Sequence, residues 1–289
     1  MKSHDLTRIR QAEIAQLILL QSLFALKESR EIIFQGGTAI RWFLGGLRFS
    51  EDLDFVTPLD PEAVAHLVAK MAGHARRLLI ANFGEGELTV HGKGQRPTAY
   101  KAFLNFAPVA SRGKIRIKLE FERLAHGVQP ETVATVMQSS PAVGWFLREG
   151  GFRSAGAGVV IRVETAREIL TDKLRALMER PYTKGRDFFD VWFLTRTVGT
   201  CATAANLRRK LNMYAIPFKE NTRAAFYETL DTLDTVARQR LVREIQQDLI
   251  RFLDIDTLQV FEENGFDQLL SAVQETFCAV VNPAIGVKE

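Results

Sequence analysis

The sequence predicts an α+β protein in two lobes, a mixed sheet with flanking helices over residues 1–163 and a helical lobe over residues 164–289. Three observations lead there. Short runs of alternating polarity, punctuated by Gly and Pro, recur up to the VVIRV run at 159–163 and not beyond it. From Thr165 onward apolar residues return at helical spacing, and Thr165 followed by Glu168 is the capping-box pattern that opens a helix. A chain of 289 residues, 46% hydrophobic and 25% charged, is long and apolar enough to bury a core and is neither disordered nor low in complexity.

The elements follow in order. Residues 5–28 read as a helix through Leu6, Ile9, Ile14, Leu17 and Ile18. Residues 31–35 read as a short strand ending on Gly36-Gly37, and a short helix over about 37–44 stops at Gly45-Gly46. Residues 51–56 alternate as a strand; Pro58 and Pro61 mark a turn, and a helix continues to about residue 80. Strand-like runs follow at 86–91, 100–107 and 113–122. In the second lobe a helix runs to Arg180 and stops before Pro181, and helices are expected at 185–197, 202–212, 221–231, 235–253 and 265–279.

Composition narrows the setting. The most apolar stretch, Leu17–Leu26, is broken by Gln21 and Ser22 and falls short of the roughly 18 residues of a membrane span. The first residues lack the apolar stretch of a signal peptide, so no membrane partner is expected. Cys201 and Cys278 form neither a disulfide framework nor a metal spacing, which fits a reducing cytoplasm. A net charge of +4 permits an anionic partner without requiring one.

The chemistry concentrates in residues 34–55, FQGGTAIRWFLGGLRFSEDLDF. Strand residues two apart share a face, so Asp52 and Asp54 point one way and Leu53 and Phe55 the other. Two like charges side by side need a cation, and a hard divalent ion such as Mg²⁺ takes carboxylate oxygens; a merely solvated strand face is the plainer alternative. Gly36-Gly37-Thr38, between strand and helix, lets backbone N–H groups approach a phosphate, although tight strand-to-helix turns also use glycine. Ser50 is a hydroxyl donor to such a phosphate, and Arg41 and Arg48 are cations to neutralise it. Residues 112–122, RGKIRIKLEFE, place Ile115, Ile117, Leu119 and Phe121 on one face and Arg112, Lys114, Arg116, Lys118, Glu120 and Glu122 on the other. Glu120 is the candidate third carboxylate, with Glu122 its rival.

A Gly-Gly turn, a short helix, D-x-D on a strand and a later acidic strand residue together resemble the DNA polymerase β-like nucleotidyltransferase superfamily. GGTAIRW followed by RFSEDLDF is similar, more specifically, to the AbiEii-type nucleotidyltransferases. These are toxins of type IV toxin–antitoxin and abortive-infection systems and include mycobacterial toxins that modify tRNA. TAREILTDKLRALMER and KGRDFFDVWFL resemble that family's Lys and R-D-x-x-D motifs, and the likeness covers roughly residues 30–200.

The resemblance implies an NTP substrate, Mg²⁺ or Mn²⁺, and transfer of a nucleoside monophosphate to a hydroxyl with release of pyrophosphate. Gly36, Gly37 and Thr38 would hold the triphosphate, assisted by Ser50 and Arg48. Asp52 and Asp54, with Glu120, would bind metal; Lys173 would contact the phosphates, and Asp187 would activate the attacking hydroxyl or order Lys173. Asp190 lies one helical turn on from Asp187. The implied acceptor is RNA, most plausibly tRNA, the implied partner a cognate antitoxin, and the site a cleft between the lobes.

Competing functions are transfer to a small molecule such as an antibiotic, transfer to a protein hydroxyl, or nucleotide binding without transfer. The basic strand face favours an RNA acceptor over a cationic drug. His4, His66, His74, His91 and His126 lack metal-ligand spacing. The Leu207–Lys210 run reads first as a solvated helix face and second as a contact for RNA phosphate.

Overall fold

A computed structural model describes residues 3–92, 97–110, 113–149, 152–154, 158–219 and 223–285. The predicted strand-face residue Arg112 and the start of the expected 221–231 helix lie outside the described residues. The fold is mixed α+β, and its contacts divide the chain into two compact units. The first comprises Met1–Gly45, Phe49–Val128 and Thr132–Glu164; the second comprises Gly46–Arg48, Gln129–Glu131 and Thr165–Glu289.

In the first unit, α1 (Ser3–Phe24) leads through a short 3₁₀ turn (Lys27–Glu31) into β1 (Ile33–Gln35) and α2 (Gly36–Phe43). Next come β2 (Asp52–Thr57), α3 (Pro61–Phe83), β3 (Gly86–Gly92), β4 (Ala99–Pro108) and β5 (Ile115–Arg123). The unit closes with β6 (Thr132–Val136), α4 (Pro141–Arg148) and β7 (Val160–Glu164). The expected 5–28 helix stops at Phe24, and β6 and α4 have no counterpart in the elements read from the sequence. The strands form one seven-stranded mixed sheet in the order β3-β4-β5-β2-β1-β7-β6. β2 runs parallel to β5 and antiparallel to β1, while β3, β4 and β5 form an antiparallel meander.

Local chemistry explains the boundaries. Asp60 caps α3 by accepting from the Ala63 N–H, and Pro61 fills the first turn where no N–H is needed. One face of the sheet is apolar: Leu53, Leu104, Phe106, Ile117 and Leu119 are wholly buried, with α1 against β5 and α3 against β4. Phe55 stacks on Phe121 at 4.7 Å, an aromatic pair worth about 1 kcal/mol beyond its area. The alternation that buries these residues turns Asp52, Asp54, Lys118 and Glu120 to the other face.

The second unit is helical: α5 (Ala166–Glu179), α6 (Gly185–Trp192), α7 (Ala204–Leu211), α8 (Ala224–Glu228), α9 (Thr235–Leu249), α10 (Ile255–Glu263), α11 (Asp267–Thr276) and α12 (Asn282–Ile285). Thr165 caps α5 by accepting from the Glu168 N–H, and Thr203 with Asn206 forms a full capping box on α7. A π-helical turn (Phe193–Thr197) continues α6. The 235–253 helix ends at Leu249, and Asp254 caps a separate α10 that buries Leu258 and Phe261. Among the described residues no helix is long and apolar enough to cross a membrane. Both cysteines are free and exposed.

Candidate active site

In the sheet unit the site is built on β1, α2, β2 and β5. Gly36 has φ +80°, and a Cβ there would come within 2.6 Å of Asp54 Oδ2. Glycine is therefore required twice, for the left-handed backbone and for the close approach of a carboxylate to the start of α2. That approach is favourable, because a helix N-terminus carries partial positive charge. Gly37 and Thr38 are buried, and the Thr38 hydroxyl donates to the Asp52 carbonyl, tying the first turn of α2 to β2. The Thr38 side chain is a strut. The Ser50 carbonyl accepts from Gln16 Nε2 at 2.7 Å, which fixes the loop that enters β2.

Strand register assembles the charged face. Asp52 pairs with Lys118 and Asp54 with Glu120 across the parallel β2–β5 ladder, and Glu120 pairs with Lys101 on β4. Lys118 Nζ lies 3.3 Å from Asp52 Oδ2 and 2.6 Å from Glu120 Oε1, while Lys101 Nζ lies 2.8 Å from the same Glu120 oxygen. Burial pushes the Glu120 carboxyl up, but the two lysines outweigh it and hold it below the ordinary value. Burial likewise pushes Lys118 down, and Glu120 and Asp52 more than reverse it, so this lysine stays charged. The Asp52 side chain remains 37% exposed and accessible to a ligand.

The residues suit a divalent cation of one particular kind. Among the described residues no group of three or more His, Cys, Asp or Glu is gathered to cage a metal, and Glu120 is engaged by two lysines. Asp52 and Asp54 nevertheless offer hard oxygen donors on one face, and a cationic group already lies against Asp52. Mg²⁺ is commonly held by one or two carboxylates plus substrate phosphates, and this donor set fits that mode.

In the helical unit Lys173, Asp187, Asp190, Arg48 and Arg180 form one cluster. Lys173 Nζ lies 2.8 Å from Asp190 Oδ2 and 3.3 Å from Asp187 Oδ1. Arg48 Nε and Nη2 donate to the two Asp190 oxygens at 2.6 Å each, and Arg180 pairs with Asp187. Asp187 and Asp190 are 1% exposed and the Lys173 side chain 13%. Burial pushes Asp190 up, but Arg48 and Lys173 overwhelm it and hold the carboxyl far below its usual range. Burial pushes the Lys173 ammonium down; Asp190 opposes this, Arg48 and Arg180 add to it, and its pKa ends below the ordinary lysine value.

Sequence reasoning gave Asp190 no role of its own, yet it anchors both Lys173 and Arg48; the three-residue spacing from Asp187 was the available signal. Arg48, expected on the phosphates, forks Asp190 and is 4% exposed. The basic 207–210 run is not a solvated face throughout: Lys210 is wholly buried, on Asp172 Oδ2 at 2.7 Å and Glu168 Oε1 at 3.1 Å.

Comparison with known proteins identifies a family and a fold. The model for the nucleotidyl transferase AbiEii toxin of type IV toxin–antitoxin systems matches residues 18–278. Among solved structures, JHP933 from Helicobacter pylori is similar with a TM-score of 0.55 at 18% identity, over 96% of this chain and 94% of that one. A “putative nucleotidyltransferase” from H. pylori is similar with a TM-score of 0.51 at 18% identity, over 100% of both chains. At that identity the likeness to either structure is one of fold. No curated protein matches the sequence.

Proposed function

The chain belongs to the AbiEii nucleotidyltransferase toxin family, and we propose that it moves a nucleoside monophosphate from an NTP to a hydroxyl of an RNA acceptor, most plausibly tRNA. The observation that carries this is the pair of carboxylates on β2, Asp52 and Asp54, facing one way beside a glycine turn that only Gly36 can make.

In this reaction the acceptor hydroxyl gives up its proton to solvent, its oxygen forms a bond to the α-phosphorus, the bond from that phosphorus to the β-phosphate bridge breaks, and pyrophosphate leaves. Asp52 and Asp54 are the residues that would hold a divalent cation, which when bound with the triphosphate supplies charge neutralisation. Gly36 and Gly37 bring backbone N–H groups to the phosphates, with the Ser50 hydroxyl assisting. Lys173 offers a buried ammonium to the phosphates, with Asp187 and Asp190 orienting it. Positioning and preorganised charge account for most of the acceleration in such transfers. The family also implies a cognate antitoxin as the opposing partner.

The test uses the purified protein, Mg²⁺, each NTP labelled at the α-phosphate, and total bacterial RNA, with Asp52→Ala in parallel. Label in a tRNA-sized band that disappears in the variant is the expected result. Full transfer by a folded Asp52→Ala protein overturns the assignment, and label on a small molecule or a protein moves the acceptor.

A further inference from the structure

The sheet face that holds Asp52 continues outward past it. Direct cross-strand partners form a row, Asp52 on β2, Lys118 on β5, Phe103 on β4 and His91 on β3. Strand spacing puts Phe103 about 10 Å from Asp52. Arg116, diagonal to Phe103, lays its guanidinium over the ring at 3.9 Å from the centroid. Arg116, Lys114 and His91 are exposed, and Phe103 is half-buried rather than packed in a core. The helices α1 and α3 cover the opposite, apolar face of these strands, so β3–β5 present an aromatic ring with cations around it.

Core packing does not account for this arrangement. Phe103 shares its strand face with the half-buried Lys101 and Asn105, while the residues of the opposite face, Tyr100, Ala102, Leu104, Phe106 and Pro108, are all buried. An aromatic ring beneath a guanidinium, flanked by lysines on an open sheet, is the chemistry that takes a nucleobase by its π-face and a sugar–phosphate strand by its charge.

We propose that the row from Asp52 to His91 is a binding platform for single-stranded RNA, with Phe103 and Arg116 stacking one base and Lys114 meeting the backbone. This rests on the RNA-acceptor reading above and deepens it, placing the acceptor strand on β3–β5 and leading it toward Asp52. The ring favours RNA over an acidic peptide, because it gives a base a flat stacking partner that a carboxylate cannot use.

Binding of a fluorescent single-stranded RNA oligonucleotide, followed by anisotropy across a salt series, tests the platform without requiring transfer. Phe103→Leu should weaken RNA binding by roughly 5- to 100-fold, the range for losing one stacked base, and Phe103→Trp should restore it. Arg116→Ala, at an exposed position where folding is safe, should weaken binding less, and Lys114→Ala should flatten the salt dependence by about 0.7 in the log–log slope for its lost phosphate contact. NTP affinity should stay at the wild-type value in all of these variants. RNA affinity unchanged in both Phe103→Leu and Arg116→Ala, no RNA binding by the wild type, or an NTP defect without an RNA defect each overturns the platform. Phe103-dependent RNA binding without any label transfer to RNA keeps the platform and overturns the acceptor reading instead.

Discussion

Lys173 on α5 and Lys210 on α7 each pair with two carboxylates inside the helical unit, and the charge around them differs. Lys210 sits among Glu168, Asp172 and Glu131, with Arg209 on Glu168 at 2.5 Å and on Glu131 at 3.6 Å, and Arg167 on Glu131 at 3.9 Å. Three cations there face three carboxylates. Around Lys173, Arg48 and Arg180 are drawn onto Asp187 and Asp190, so three cations converge on these two carboxylates. Asp172 and Lys173 are neighbours on one helix and belong to opposite cases. In the first network each of the three cations has a carboxylate to match it, whereas in the second three cations share two carboxylates. Burial alone therefore does not single out a lysine for phosphate, and the role proposed for Lys173 rests on the cations gathered with it.

The largest expected effect is at Lys210. Lys210→Met leaves Asp172 without its cation and Glu168 with Arg209 alone, which should cost about 3–5 kcal/mol of stability and lower Tm by roughly 6–20 °C. Transfer per folded molecule should be unchanged, and an activity loss in folded protein would break the comparison. Lys173→Met should do the reverse. Thermal unfolding should stay within a few degrees of wild type because Arg48 and Arg180 still neutralise both carboxylates, while pyrophosphate release should fall by at least about 100-fold.

The pH dependence sharpens the contrast. Asp190 has a folded-state pKa far below the unfolded one, so its contribution is complete above about pH 4 and is lost as pH falls toward the folded value. In Asp190→Asn, urea unfolding across acid pH should show a slope shallower by up to about 1.4 kcal/mol per unit. Lys173 is depressed, so below the ordinary lysine value its folded form gains stability as pH rises through the folded pKa, and the Met variant should lose that rise.

The smallest expected effect is at Tyr227, a buried residue with no compensating partner. Its hydroxyl lacks a hydrogen-bond partner among the described residues, and burial pushes the phenol up to about 12 against the opposing pull of Arg223 and Arg180. Its neutral form is favoured in the fold, so stability should decline as pH rises from about 10 toward 12. Tyr227→Phe should remove that alkaline decline and change stability at neutral pH by less than about 1 kcal/mol, measured by denaturant unfolding.

What the sequence made legible was local. Period-two alternation is enough to put Asp52 with Asp54 on one face, and Gly-Gly after a short apolar run is enough to mark the turn into α2. Pairings distant in the chain carry no such trace. Arg48 and Asp190 are 142 residues apart, and nothing near either one announces the other. Lys210 ends a run of three basic residues that reads as a wet face until Glu168 and Asp172 are folded against it. β6 was illegible for another reason: it is an edge strand whose residues are half or fully exposed, so it lacks the burial alternation that betrays a strand. α10 did carry a signal, with Asp254 as cap and Leu258 and Phe261 three apart, and the long 235–253 pattern before it obscured where one helix ends and the next begins.

The helical unit is assembled from three separate stretches of chain, and two of them, Gly46–Arg48 and Gln129–Glu131, are synthesised before the rest of it. On a ribosome Arg48 emerges long before Asp190 exists to receive it, and Glu131 before Arg209. A fragment begun at residue 165 would keep every helix of the unit and still lack the guanidinium that forks Asp190. No single cut along the chain releases this unit whole, so dissection by truncation would report on a damaged charge cluster instead of an independent module.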